Sequence, residues 1–195
     1  MNGNSNRVLE QVRSLCERII GVEAQAVDRE RRFPRRSVQS LADAGLFGLT
    51  IPQQFDGLGC GAEEFARVAG EIARVCGSTA MVYVMHVSGT MPIVVVGSEE
   101  QRTQLLPEIA AGRMLATLAF SEPGSGAHFY APVSRAAANG AGFVLNCDKS
   151  FVPSAGEADL YLVCTGSPAG STPLESDLFL VRRNIVVDWV SRKRR

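Results

Sequence analysis

Apolar residues recur at three- and four-residue steps through the first part of the chain, which predicts a series of amphipathic helices. A first helix is expected over residues 6–29. Its inward face is predicted from five residues: Val8, Val12, Leu15, Ile19 and Val22. A second helix is expected to begin at Pro34, whose fixed φ suits the first helical position, and to stop at Gly45.

Three further helices follow a loop that is rich in glycine. The third carries one apolar side and ends at Gly77, and Ser78 is placed to cap the fourth, an apolar helix over residues 79–96. Ser98 and Gln101 form a capping box for a fifth helix that closes at Gly112.

From Met114 onward the period changes from helical to strand-like. Short strands are predicted at residues 114–120, 133–138, 143–146, 160–164 and 177–181. Asn139-Gly140 is a hairpin signal, and a loop rich in Gly, Ser and Pro covers residues 166–176. Helices followed by strands indicate an α+β protein: an all-helical bundle domain over residues 1–113, then a partial antiparallel β-barrel or sandwich domain over residues 114–195.

Charge and cysteine content exclude several classes of protein. The formal net charge is zero, so no overall attraction to nucleic acid is expected. The five cysteines form no CxxC pair, which argues against zinc or other metal binding and favours free thiols in a reducing, cytoplasmic setting. The apolar run at residues 79–96 approaches membrane-span length, but its His, Ser, Gly, Thr and Pro residues favour a buried bundle helix over a span.

Two stretches carry the candidate chemistry. Residues 120–128 read Phe-Ser-Glu-Pro-Gly-Ser-Gly-Ala-His and offer hydroxyls and glycine backbone to a polar ligand, although a simple tight turn has the same composition. Residues 149–159 place Phe151 beside small polar residues, where the ring could stack on a flat cofactor or simply pack in the core. His86 and His128 are isolated histidines, for which a structural or exposed position is favoured over a catalytic role.

These stretches, in this order, resemble the acyl-CoA dehydrogenase family. The similarity includes residues 41–52 (Leu-Ala-Asp-Ala-Gly-Leu-Phe-Gly-Leu-Thr-Ile-Pro), residues 57–59 (Gly-Leu-Gly), residues 89–93 (Gly-Thr-Met-Pro-Ile) and residues 97–101 (Gly-Ser-Glu-Glu-Gln). It covers residues 30–181 approximately, and its specificity lies in the ordered set.

The resemblance implies an FAD site and an acyl pocket. Flavin contacts would fall to Leu118, Phe120 and Ser121, with Gly126 near the pyrophosphate and Phe151 against the ring. The family's threonine or serine donor two residues after the aromatic is replaced here by Pro153, for which Ser154 is the nearest substitute. Ala127 and His128 stand where the family has a serine and an acidic residue. The acyl chain would meet Val84, Met85 and Ser88, for which helix core is an equal alternative.

The activity that the resemblance implies is oxidoreductase chemistry of fatty acid metabolism. Such enzymes dehydrogenate an acyl-CoA or related acyl thioester, pass a hydride to FAD and then pass electrons to an electron-transfer flavoprotein. The family's catalytic glutamate lies in a C-terminal bundle beyond the matching residues, so no catalytic residue is assigned and the truncated chain is expected to be inactive. Alternatives are a reduced-flavin-dependent monooxygenase of the same fold, or a non-catalytic fragment that works in a homo-oligomer or with a partner chain that supplies the bundle.

Overall fold

The computed structural model describes residues 3–140, 142–172 and 174–183, which form two compact units. The helical unit is Met1–Ala116 and the β unit is Thr117–Arg195.

The described part of the helical unit contains six α-helices. They are α1 (Gly3–Leu15), α2 (Gly21–Glu30), α3 (Arg35–Asp43), α4 (Ala62–Val75), α5 (Gly77–Val96) and α6 (Glu99–Ala110). A π-helical turn, Cys16–Ile20, joins α1 to α2, and short 3₁₀ turns at Leu46–Gly48 and Gln53–Phe55 lie between α3 and α4. Leu41, Leu46, Ile72, Ile93 and Ile109 are among the fully buried side chains of the core.

The predicted inward face of the first helix is wrong beyond Leu15. Val8, Val12 and Leu15 are buried, but Ile20 is buried instead of Ile19, and Val22 is exposed. Val27 is the next buried residue of α2. The cause is the π-helical turn, in which the Gly21 N–H donates to the Cys16 carbonyl five residues back. This turn holds one more residue than an α-helical turn, so every later inward position moves by one.

Two predicted helix starts need correction, and a third is confirmed. The cap of α5 is Cys76 and not Ser78, because the Cys76 sulfur accepts hydrogen bonds from both the backbone N–H and the hydroxyl of Thr79. Pro34 is the residue before the first turn of α3, not the first helical residue. The capping box of α6 is confirmed: the Ser98 Oγ accepts from the Gln101 N–H at 3.2 Å, and the Gln101 side chain accepts from the Ser98 N–H at 2.9 Å.

Helix α5 supplies the centre of the helical unit. Among the described helices it alone is long and apolar enough to cross a membrane, and 50% of its apolar window is buried inside the protein. Its inward side is held by polar contacts as well as packing. The Tyr83 hydroxyl donates to the Leu46 carbonyl at 3.0 Å, and the His86 Nε2 lies 3.2 Å from the Phe47 carbonyl. These contacts match the prediction of a buried bundle helix.

The described β unit has five short strands in two sheets. Strands β1 (Ala116–Ala119), β4 (Leu160–Gly166) and β5 (Ser176–Arg182) form one sheet in the order β1-β4-β5, and β2 (Ala137–Asn139) pairs with β3 (Gly142–Val144). The pairs β2–β3 and β4–β5 are antiparallel. Phe143 of β3 packs edge-on against Phe179 of β5, with ring centroids 5.3 Å apart. The α+β class is confirmed, and the described strands form no closed barrel.

Strand β2 is shorter than the predicted strand at residues 133–138. The N–H groups of Val133 and Ser134 donate to the carboxylate of Glu122 instead of to a neighbouring strand. Arg135 forms only an isolated bridge with Gly166. The Glu122 carboxylate therefore accepts from the N–H groups that a longer β2 would use to pair with a neighbouring strand.

Candidate functional site

The two chemically suggestive stretches lie side by side in the β unit. The Ser150 N–H donates to the Ser121 carbonyl at 2.8 Å. The Thr117 hydroxyl donates to the Pro153 carbonyl at 2.6 Å. Residues 149–154 are therefore tied along the end of β1 and the segment that follows it. Leu118, Phe120 and Ser121 lie on the first of these two linked segments and are half-buried, and Phe151 and Ser154 lie on the second.

The turn at residues 151–154 holds two side chains in unusual backbone conformations. Phe151 has φ +52° and Ser154 has φ +63°, both in the left-handed region that bulky residues rarely adopt. Phe151 is also 85% exposed, so no packing within the described residues accounts for a ring held there. Strained backbone of this kind persists where the surrounding structure enforces it and is concentrated at binding sites.

The hydroxyl of Ser154 is a buried polar group without a partner. The residue is only 9% exposed, and its Oγ has no hydrogen-bond partner among the described residues. A buried hydroxyl in this state costs free energy that a bound acceptor would recover. The nearby N–H groups of Glu157 and Ala158 do not donate to this hydroxyl, because both donate to the Ser154 carbonyl.

The glycine-rich segment presents free backbone donors. Gly124 and Gly126 have positive φ, at 98° and 56°. Among the described residues, no acceptor contacts the N–H groups of Gly126 or Ala127, and no atom lies within 4 Å of where a Gly126 side chain would begin. Unpaired N–H groups on an exposed turn are the kind of donor that binds anionic oxygens.

A buried ion pair lies beneath both segments. The Lys149 Nζ is 2.7 Å from the Glu122 Oε1, and the two side chains are 5% and 3% exposed. Glu122 also accepts from the Val133 N–H at 2.6 Å, from the Ser134 N–H at 2.8 Å and from the Ser134 hydroxyl. Burial raises the pKa of Glu122, but the donors on Lys149 and Ser134 outweigh burial and hold that pKa below its usual value. Glu122 is therefore a fully engaged carboxylate and unsuited to act as a base.

Sequence reasoning gave Lys149 no role and did not predict this network. The signal that was available is composition: the chain has 18 arginines and 2 lysines. Lys149 is one of these two lysines and lies inside the second candidate stretch, where an ammonium group offers a compact set of donors.

The three residues predicted to contact an acyl chain share one side of α5 in the helical unit. Val84, Met85 and Ser88 are all half-buried. The same side continues to Met81, which is 54% exposed, and to Val95, which is 66% exposed. The opposite side of the helix packs into the core. These three residues thus lie on an apolar helix surface that the helical unit leaves open.

His86 has a structural environment, as expected for an isolated histidine. It is fully buried, its Nε2 lies 3.2 Å from the Phe47 carbonyl, and its Nδ1 accepts from the Ala116 N–H at 3.0 Å. A carbonyl oxygen can only accept, so Nε2 carries the proton and the ring is neutral. Burial lowers the pKa of His86 to about 4, against a smaller opposing effect of the Phe47 carbonyl.

The other polar candidates form no metal site. His128 is exposed, and its Nδ1 lies 2.9 Å from the Tyr130 hydroxyl. All five cysteines are free thiols. The described residues include no group of three His, Cys, Asp or Glu side chains that could hold a metal ion.

Comparison with known proteins agrees with the fold and the ordered motifs. The sequence model described as "Acyl-CoA dehydrogenase, N-terminal domain" matches residues 4–113. Because this match covers more than half of the chain, the chain belongs to the acyl-CoA dehydrogenase family.

Curated relatives are similar over most of this chain but extend well beyond it. An acyl-CoA dehydrogenase of Bacillus subtilis is 27% identical over 187 residues, which is 95% of this chain and 49% of the relative. A cyclohex-1-ene-1-carbonyl-CoA dehydrogenase of Syntrophus aciditrophicus is 30% identical over 177 residues, which is 90% of this chain and 43% of the relative. The chain thus spans less than half the length of these relatives.

Solved structures show the same fold. Butyryl-CoA dehydrogenase from Megasphaera elsdenii aligns with a TM-score of 0.87 at 20% identity, over 94% of this chain and 49% of that one. An acyl-CoA dehydrogenase from Bacillus anthracis, solved in complex with FAD, aligns with a TM-score of 0.83 at 26% identity, over 94% of this chain and 32% of that one.

Proposed function

We propose that this chain is the N-terminal helical domain, residues 1–113, and the middle flavin-binding domain, residues 114–195, of an FAD-dependent acyl-CoA dehydrogenase. Its substrate is an acyl-CoA or related acyl thioester, and it works in the cytoplasm. The observation that carries the proposal is the partnerless buried hydroxyl of Ser154, next to the strained and exposed ring of Phe151. Membership of the family and the FAD complex of the Bacillus anthracis relative support it.

The residues present fit a flavin. Phe151 offers an exposed aromatic face, Ser154 offers a hydroxyl in need of a partner, and Gly126 offers an unpaired N–H for an anionic oxygen. Leu118, Phe120 and Ser121 supply apolar and hydroxyl contacts from the neighbouring segment. When bound, FAD supplies the oxidant that accepts the hydride from the β-carbon of the substrate.

The residues of α5 contribute apolar surface for the acyl chain. Val84, Met85 and Ser88 are half-buried on the open side of the helix, so a covering acyl group would remove their remaining apolar area from water. Their role is to bind and orient the chain and to exclude water, which strengthens electrostatic interactions nearby.

We assign no catalytic base within the described residues. Glu122 is engaged by Lys149, Val133 and Ser134, and its pKa lies below its usual value. The family resemblance places the base in a C-terminal helical bundle, outside the two domains proposed here. The same resemblance proposes an electron-transfer flavoprotein as the electron acceptor.

Flavin titration of the purified 195-residue chain tests the proposal. We expect weak FAD binding, with a Kd on the order of tens of micromolar, and no acyl-CoA turnover with an artificial acceptor. Adding hydroxyls through Ala127→Ser and Pro153→Thr together should tighten binding about tenfold, since a net hydrogen bond contributes roughly 0.5–1.5 kcal/mol. Ala138→Ser, on exposed β2, is the matched control and should change nothing.

Two results would count against the proposal. Failure to bind FAD at millimolar concentration would remove the flavin site. Turnover clearly above a control without protein would show that a base is present within the chain after all.

The departures Ala127 and Pro153 favour one alternative, a reduced-flavin-dependent monooxygenase. Proline removes both the hydroxyl and the backbone donor that the resemblance expects at this position, so the flavin would meet a different set of donors. Oxygen consumption on addition of chemically reduced flavin distinguishes this chemistry from dehydrogenation.

A further inference from the structure

Lys149 occupies a site that only a compact cation with several donors satisfies. Its Nζ lies 3.2 Å from the Phe120 carbonyl and 2.7 Å from the Glu122 Oε1, and it also donates to the Cys164 carbonyl. The three N–H donors of an ammonium group thus meet three oxygens, two from residues 120–122 and one from β4. A planar guanidinium presents its donors in a fork and does not match this arrangement.

The oxygens that Lys149 contacts belong to elements that surround the flavin candidates. Phe120 and Glu122 begin the glycine-rich segment, and Cys164 lies in β4, the strand next to β1. Lys149 is itself two residues before Phe151, and Ser150 between them donates to Ser121. The position of the Lys149 side chain therefore sets the register of one candidate segment against the other.

Glu122 also fixes the far end of the glycine-rich segment, at Val133 and Ser134. Its carboxylate accepts from Lys149 on one side and from the Val133 and Ser134 N–H groups on the other. The chain leaves Glu122, passes through the turn that contains Gly126 and returns to the same carboxylate. Both ends of the segment with the unpaired N–H groups are thus held by one buried side chain.

We propose that Lys149 and Glu122 are positioning residues for the flavin site, which act by fixing residues 149–154 and both ends of residues 122–134 in one arrangement without touching the ligand. This inference rests on the proposed function. It assigns to the ion pair a role in binding geometry that is separate from any effect on stability.

The test separates geometry from stability. Lys149→Met leaves Glu122 buried without its cation, whereas the double variant Glu122→Gln/Lys149→Met removes both charges and should recover most of the thermal stability. We expect FAD affinity, measured by quenching of free flavin fluorescence, to fall at least tenfold in both variants. Lys149→Arg keeps the charge and should also lose affinity. Arg113→Met, which breaks the exposed Arg113–Glu108 pair, is the charge-matched control and should bind FAD as the parent does.

A second measurement does not depend on flavin. Hydrogen exchange of the Ser150 N–H reports the contact between the two segments directly, and its protection should fall at least tenfold in the double variant while amides of β4 and β5 stay protected. Recovery of FAD affinity together with stability in the double variant, or parent-like affinity in Lys149→Arg, would overturn the inference. If the parent binds no FAD, the proposed function fails. The positioning role is then tested by hydrogen exchange alone, and unchanged protection of the Ser150 N–H in the double variant would refute it.

Discussion

The buried imidazole of His86 makes a quantitative prediction about acid stability. In the folded protein the pKa of His86 is lowered to about 4 by burial, whereas an unfolded chain restores the ordinary value of 6.5. Between these values the unfolded state binds a proton that the folded state does not. The contribution of His86 to stability is therefore fully present above pH 6.5 and is lost progressively as the pH falls towards 4.

The size of the effect follows from the two pKa values. The linkage relation gives a loss of about 2 kcal/mol at pH 5, relative to a pH well above 6.5. A net stability of roughly 5–15 kcal/mol makes such a loss easy to detect. Glu122 also has a lowered pKa, so its carboxylate adds to the acid sensitivity and must be separated from the histidine.

Urea unfolding followed by circular dichroism at several pH values measures this loss. His86→Gln keeps a polar side chain without the titration, so the difference between parent and variant isolates the histidine from Glu122 and the other carboxylates. The parent should lose about 2 kcal/mol more than the variant between pH 7.5 and pH 5. Parallel pH profiles for the two proteins would show that His86 is not a buried neutral base, and the reasoning from the Phe47 and Ala116 contacts would fail.

Two further predictions concern the helical unit. Gly57→Ala should destabilise the fold by more than 2 kcal/mol in urea unfolding, because the new Cβ would lie 2.1 Å from the Ile51 carbonyl oxygen. Gly70→Ala lies in the middle of α4, where no atom is within 4 Å of the added Cβ, and it should stabilise the fold by about 0.5–1 kcal/mol. Equal effects of the Gly57 and Gly70 substitutions on the free energy of unfolding would contradict the packing described. The exposed apolar side of α5 should drive self-association, so Met81→Gln with Val95→Gln should lower the sedimentation coefficient at high protein concentration; an unchanged monomer in both proteins would count against this.

Interactions between residues close together in the sequence could be predicted, and those between distant residues could not. The capping box at Ser98 was predictable because both partners lie within four residues of each other. The cap of α5 was not, because a cysteine sulfur is a weak acceptor and Ser78 nearby is a common capping residue. The late start of β2 was also missed, since Glu122 accepts from the N–H groups of Val133 and Ser134, eleven and twelve residues away. A contact at that separation leaves no mark on hydrophobic periodicity.

For the candidate site, the sequence identified the two segments but not their three-dimensional arrangement. The pattern of glycine and hydroxyl residues identified the two segments, and resemblance to the family supplied roles for Phe151 and Ser154 that stay predictions. The strain at both residues, and the absence of any partner for the Ser154 hydroxyl in the described chain, depend on the three-dimensional path of the turn. Lys149 was overlooked because an isolated lysine in sequence is usually a solvated one.

The π-helical turn at Cys16–Ile20 has a consequence for how this region is aligned and mutated. Without the extra residue, the periodicity would carry Ile19 and Val22 into the core. With it, Ile20 is buried instead of Ile19, and half-buried Glu23 lies where Val22 was expected and accepts a hydrogen bond from the Ser37 hydroxyl of α3. The turn thus exchanges an apolar contact for an ionisable one at the start of α2. An alignment drawn through an uninterrupted helix would be out of phase by one residue from this point, and substitutions chosen from it would reach the wrong face.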